Sequence, residues 1–148
     1  MRLLALLAVG LFAATPALAQ LDPVNADDDG LALRGYDAVA YFTLDEPTPG
    51  TAEFTHTWNG ATWQFSTAEH RDLFIANPEQ YAPQFGGYCA WAVSRNYTAD
   101  ADPEVWAVVD DKLYVNYNRS VKGLWSVRRG THIKRGHENW PGLLAGDN

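Results

Sequence analysis

Apolar and polar positions alternate most cleanly between Phe54 and Phe65, and the run is interrupted only by Asn59-Gly60. Asn-Gly is the favoured pair for a two-residue type I′ hairpin turn. That turn sets Trp58 opposite Ala61, His56 opposite Trp63 and Phe54 opposite Phe65. Opposed residues share a face. One face is therefore Phe54, His56, Trp58, Ala61, Trp63 and Phe65, and the other is Thr55, Thr57, Thr62 and Gln64. A second alternating run, Glu104 to Asn118, turns at Asp110-Asp111 and aligns Trp106, Val108, Leu113, Val115 and Tyr117. Val, Tyr and Phe between Asp37 and Phe42 predict a strand. Pro47, Pro49 and Gly50 make Leu44 to Gly50 a loop.

Helical signals fall between these runs. Ser66-Thr67-Ala68-Glu69 reads as a capping box with Ser66 at the N-cap. The helix it opens, with His70, Leu73 and Phe74 on one face, should stop near Asn77 because Pro78 follows. Pro78 to Phe85 is expected to be a turn or short helical piece burying Tyr81. A second helix is expected from Gly86-Gly87 to about Arg95, with Phe85, Cys89 and Val93 at successive turns. A third begins near Asn118 to Ser120, carries Val121, Leu124 and Trp125 on its apolar side, and is expected to break at Gly130. A basic segment, Ile133 to Leu144, closes the chain. No internal repeat is evident. Two hairpins interleaved with short helices predict an α+β domain with antiparallel pairing.

The amino terminus has a separate purpose. Arg2, the apolar run Leu3 to Ala14 and Ala17-Leu18-Ala19 have the order of a secretory signal peptide cleaved after Ala19. The run is shorter than the roughly 20 residues of a membrane span, so no membrane anchor is expected. This predicts a soluble exported protein, periplasmic in a Gram-negative source. Residues 20–30 read as an acidic, solvated leader, and residues 31–144 as one domain. The chain carries 18 acidic and 11 basic residues and a formal charge of −7. That balance disfavours a nucleic-acid partner, which needs a basic footprint. The 6 Trp, 7 Tyr and 6 Phe supply a core for a small domain. A single cysteine excludes an intramolecular disulfide and any multi-cysteine zinc site.

Cys89 is the first candidate for chemistry. An unpaired thiol in an oxidising compartment is either hidden or used. If a helix starts at Gly86-Gly87, Cys89 lies in its first turn, where free N–H groups and the dipole favour a thiolate. Cysteine is also a common small core residue. His56 and His70 each read as partly buried residues on apolar faces. Both could instead point into one interior beside Cys89, and a cysteine with two histidines suits copper or zinc. No paired catalytic carboxylates, serine-centred nucleophile motif or dinucleotide fingerprint is present.

Arg34-Gly-Tyr-Asp-Ala-Val-Ala-Tyr-Phe42, the NGATWQF hairpin, STAEHRDLF, NPEQYAPQFGGYCA and NWPGLL together resemble the exported bacterial YHS-domain proteins. The resemblance runs from about Leu31 to Leu144. It implies a small YHS-type core of antiparallel hairpins and short helices, extended by the second hairpin and C-terminal helices. The wider superfamily includes metal-linked domains of copper pumps. Here alanine, serine and histidine stand where their cysteines would be, and His70 alone keeps ligand chemistry. Some exported members look to carry selenocysteine at the position of Cys89. The resemblance thus implies a periplasmic binding or accessory protein handling metal, copper first, around Cys89, with a metal ion or a periplasmic protein as partner. A thiol-dependent redox enzyme using Cys89 is a second expectation; without a resolving cysteine it would need an external thiol. A non-catalytic interaction domain is the third.

Overall fold

The computed structural model describes Ala13 and residues 20–147, so the expected signal peptide and its cleavage site lie outside the described residues. The order of elements is α1 (Ala40–Thr43), β1 (Thr51–Trp58), β2 (Ala61–Phe65), α2 (Ala68–Ala76), α3 (Pro78–Tyr81), α4 (Ala90–Ser94), β3 (Asp102–Val109), β4 (Lys112–Asn116), α5 (Arg119–Ser126) and α6 (Arg129–Ala145). The strands form two antiparallel two-stranded sheets, β1-β2 and β3-β4. The fold is α+β, as the patterning predicts. Among the described residues no helix is long and apolar enough to cross a membrane.

The first hairpin has the expected turn, with Asn59 and Gly60 both at positive φ (51° and 81°). Trp58 faces Ala61, His56 faces Trp63 and Thr55 faces Gln64. The expected Phe54–Phe65 pair does not form. A bulge lies between Thr51 and Thr55, and Phe65 pairs with Thr51. Bulges of this kind bend a strand and disrupt its ladder locally.

A repeat emerges that the letters of the chain show only faintly. Adding 51 to every paired position of the first hairpin reproduces the second, bulge included: Thr51↔Phe65 becomes Asp102↔Asn116, and Thr55↔Gln64 becomes Trp106↔Val115. The next helices keep the same offset. Thr67 caps α2 by accepting from His70 N, and Asn118 caps α5 by accepting from Val121 N. Phe74 and Trp125, equivalent on those helices, are both fully buried.

The segments before the hairpins match at an offset of 52. Leu33, Arg34 and Gly35 have φ of 51°, 49° and 82°, and Phe85, Gly86 and Gly87 have 58°, 62° and 82°. Each left-handed turn ends on an extended tyrosine, Tyr36 or Tyr88, whose N–H donates to the carbonyl of Leu33 or Phe85. Buried alanines then follow at Ala38 and Ala40, and at Ala90 and Ala92. The molecule is thus two copies of a left-handed turn, short helix, bulged hairpin and capped helix, followed by α6.

The copies share a core through β4, which is buried on both faces. Leu113 and Val115 join Trp63, Phe65, Phe74 and Tyr41 in one cluster. Tyr114 joins Trp125, Phe85 and Val93 in the other. The expected single apolar face of this hairpin is accordingly incomplete, with Val108 37% and Tyr117 56% exposed. Gly136 on α6 lets the helix lie against Phe85, because a Cβ there would come within 2.6 Å of that ring.

Other expectations are corrected by tertiary contacts. The expected strand at Asp37–Phe42 is instead a turn into α1, because the Asp37 side chain accepts the N–H groups of Val39 and Ala40. Short-range capping of this kind overrides strand propensity. Tyr81 is half-buried rather than buried. The break before the last helix falls at Val127 and the left-handed Arg128 (φ 57°), and Gly130 lies inside α6.

The acidic leader is docked. Val24 is buried, and Asn25 donates its backbone N–H to Gly86 O and its amide to Asp100. Gly86 must be glycine here, since φ is +62° and a Cβ would collide with the Pro23 carbonyl. Burial pushes the Asp100 carboxyl up, but hydrogen bonds from Asn25, Arg34 and Ala101 N outweigh it and hold it below its ordinary value.

Candidate functional site

Cys89 precedes α4, which starts at Ala90 and not at Gly86-Gly87. The two glycines are consumed by the left-handed turn. The N–H groups expected to surround the sulfur have other work: that of Trp91 donates to Asn116 Oδ1 at 3.0 Å. The thiol also donates to Asn116 Oδ1, at 3.6 Å. Asn116 is fully buried, and its Nδ2 has no partner among the described residues.

Cys89 is only 1% exposed, yet it lies at the floor of a cleft of about 210 Å³. Trp91, Ala92, Tyr97, Ala99, Tyr117 and Val121 form the walls. Tyr97 and Tyr117, 50% and 56% exposed, mark its mouth. The cleft is mainly apolar, with one thiol at its base. Such a surface takes a small apolar or soft group rather than a hydrated ion.

His70 is positioned by the other copy. Because Thr67 caps α2, Ser66 is free to turn to Asp37 instead of acting as the expected cap. Asp37 is completely buried. Its Oδ1 accepts from Val39 N and Ala40 N at 2.9 and 3.2 Å. Its Oδ2 accepts from Ser66 N at 2.9 Å, Ser66 Oγ at 2.6 Å and His70 Nδ1 at 2.6 Å. Five donors on one carboxylate satisfy the charge without solvent. A carboxylate can only accept, so His70 carries its proton on Nδ1. In the neutral ring Nε2 is then an acceptor, and it lies 3.1 Å from Thr43 Oγ1.

His56 stays on the hairpin face, with its ring centroid 6.3 Å from that of Phe74 in an edge-on arrangement. The expected three-ligand site of Cys89, His56 and His70 is therefore not formed. Cys89 turns to Asn116, His70 to Asp37 and Thr43, and His56 to an aromatic ring. Among the described residues, no group of three His, Cys, Asp or Glu side chains is arranged to hold a metal ion. One thiol beside an amide oxygen does not fit a resident copper or zinc ion.

The repeat relates the two places. Asp37 and Cys89 follow equivalent tyrosines. Ser66 and His70, which bind Asp37, correspond to Tyr117 and Val121, which wall the cleft over Cys89. Sequence reasoning missed Asp37, Ser66 and Thr43. The readable signal was the repeated Gly-Tyr-x-Ala-x-Ala at Gly35 and Gly87.

Other hollows among the described residues border the docked leader. One, of about 260 Å³, is lined by Asn25, Asp27, Arg34 and Asp100 among others, and the Arg34–Asp100 ion pair occupies its edge. Another, of about 440 Å³, lies among Trp58, Trp63, Phe85, His137 and Trp140. Compared with known proteins, the chain matches no family model, no curated protein and no solved structure.

Proposed function

We propose that this chain is an exported, YHS-type binding protein whose working surface is the cleft over Cys89. One observation carries the reading. Where the first copy packs Asp37, Ser66 and His70 against one another, the second has Cys89, Tyr117 and Val121 around an open, thiol-floored cleft. A position that is filled in one copy and vacated in the other fits a place kept for a ligand. The lining favours a small group that is apolar or soft, such as an aromatic ring, a thioether or a thiol. The amino-terminal pattern and the YHS-like motifs support export and an accessory role. Copper would be engaged at Cys89 only with donors brought by a ligand or partner, because the described residues supply too few there.

Alkylation of Cys89 by a small reagent tests the reading. Reaction is expected in the folded protein, more slowly than for a free thiol, and faster in Val121→Ala, which widens the cleft. A reaction that occurs only at the rate of global unfolding, in both proteins, would make Cys89 a core residue and overturn the proposal.

A further inference from the structure

The array in the first copy has a geometry that the fold does not require. The second copy builds the same turn, hairpin and capped helix with Cys89, Tyr117 and Val121 in place of Asp37, Ser66 and His70. A buried carboxylate and an imidazole are therefore not the cost of this backbone. They are additions to it, and they are arranged in series. Asp37 Oδ2 holds His70 Nδ1 at 2.6 Å, and His70 Nε2 meets Thr43 Oγ1 at 3.1 Å. The carboxylate is buried and fixed by Ser66 and two backbone N–H groups. The imidazole side chain is 12% exposed, and Thr43 is at the surface. A hydroxyl within reach of a base, with that base oriented by a third group, is the general arrangement of an activated oxygen nucleophile. Among the described residues Thr43 Oγ1 has one competing acceptor, Val39 O, at the longer distance of 3.3 Å.

We propose that Thr43, His70 and Asp37 form an acid–base array that makes Thr43 an acceptor of acyl groups from small activated esters. Thr43 Oγ1 attacks the ester carbonyl carbon while its proton passes to His70 Nε2. The new Oγ1–carbon bond forms, and the bond from carbon to the leaving oxygen breaks. His70 returns the proton to that oxygen, which departs as the alcohol or phenol. Nothing is oxidised or reduced. Asp37 touches neither the ester nor Thr43; it is a positioning residue that fixes the tautomer of His70. This chemistry lies in the other copy from the cleft over Cys89 and does not depend on it.

The test is incubation of the folded protein with p-nitrophenyl acetate, followed by intact mass measurement and peptide mapping. One acetyl group is expected on Thr43, with release of one nitrophenol. Thr43→Ser should still be labelled at residue 43, and Thr43→Val, a surface change that leaves the core intact, should not. His70→Gln should slow labelling by about a hundredfold, the lower end of what a positioned base contributes. The pH profile of the labelling rate should differ between Asp37→Asn and the parent protein, in which the carboxylate fixes the tautomer of His70. Acetylation confined to lysines, or equal nitrophenol release from Thr43→Val and the parent protein, would overturn the proposal. So would labelling of Thr43 that is indifferent to His70→Gln in a variant with unchanged circular dichroism.

Discussion

The two copies share a backbone and differ in what they close upon. The first ends in charge and hydrogen bonds: Asp37 takes five donors, one of them the imidazole of His70. The second ends in a thiol, one amide and an apolar cleft. What they hold in common is local and steric. Both have a left-handed turn before a tyrosine, small alanines under the short helix, a bulge between the first two pairings of the hairpin, and a polar cap on the helix that follows. Both bury one large aromatic side chain from the strand, Trp63 or Tyr114, and one from the helix, Phe74 or Trp125. The scaffold is thus set by turns, caps and volumes, and the side chains that carry chemistry were free to diverge upon it.

The largest test of this comparison concerns the paired aromatics. Phe74→Ala and Trp125→Ala should each cost about 3–5 kcal/mol, the usual range for deleting a large core ring. Because β4 contributes to both clusters, each variant should unfold in a single shifted transition, followed by urea titration. Two separated transitions would show that the copies are independent units.

The next separates their chemistry. Asp37→Ala strands Ser66, His70 and two backbone N–H groups and should cost about 3–5 kcal/mol, as for removal of one member of a buried pair. Cys89→Ala removes a small side chain and one long hydrogen bond and should cost about 1 kcal/mol. Equal costs, measured by chemical denaturation, would erase the distinction between a polar-locked and an open copy.

The smallest effect is one of pH and belongs to α6, which packs on the second copy. Burial, and then nearby basic groups, hold the pKa of His132 and of His137 below the ordinary 6.5. Above that value both rings are neutral folded or unfolded, and they add no slope. Below it the unfolded chain takes up protons first, so stability should fall as pH drops through 6.5 towards the lowered folded values. Denaturation midpoints for the parent and for a His132→Gln, His137→Gln double variant should diverge in that window. An unchanged slope in the variant would assign the effect elsewhere.

Legibility followed the range of the forces. Asn59-Gly60 and Asp110-Asp111 announce their turns because positive φ is a property of one or two residues. Pro78 ends α2, and Asn118 caps α5, for equally local reasons. Where two neighbours could serve one purpose, sequence was silent: Ser66 and Thr67 are both acceptable caps, and only the presence of Asp37 nearby assigns Thr67 to the helix. The strand expected at Asp37–Phe42 failed for the same reason, since β-propensity lost to two backbone hydrogen bonds made by one carboxylate. The repeat left almost no trace in letters, because a bulge, a cap and a buried volume can each be met by several residue types.

By itself, then, the sequence determined the α+β class, both hairpin registers near their turns, the C-terminal end of α2 and the start of α5. These depend on turn dihedrals, alternation and capping within a few residues. The tertiary structure alone decided that the leader docks, that β4 is buried on both faces and that His56, His70 and Cys89 go separate ways. It also brought Thr43 and His70 together across 27 positions of chain, and Asp37 and His70 across 33. Such contacts depend on how whole elements pack, and a side chain's partner at that range is chosen by the space left over after the core is filled.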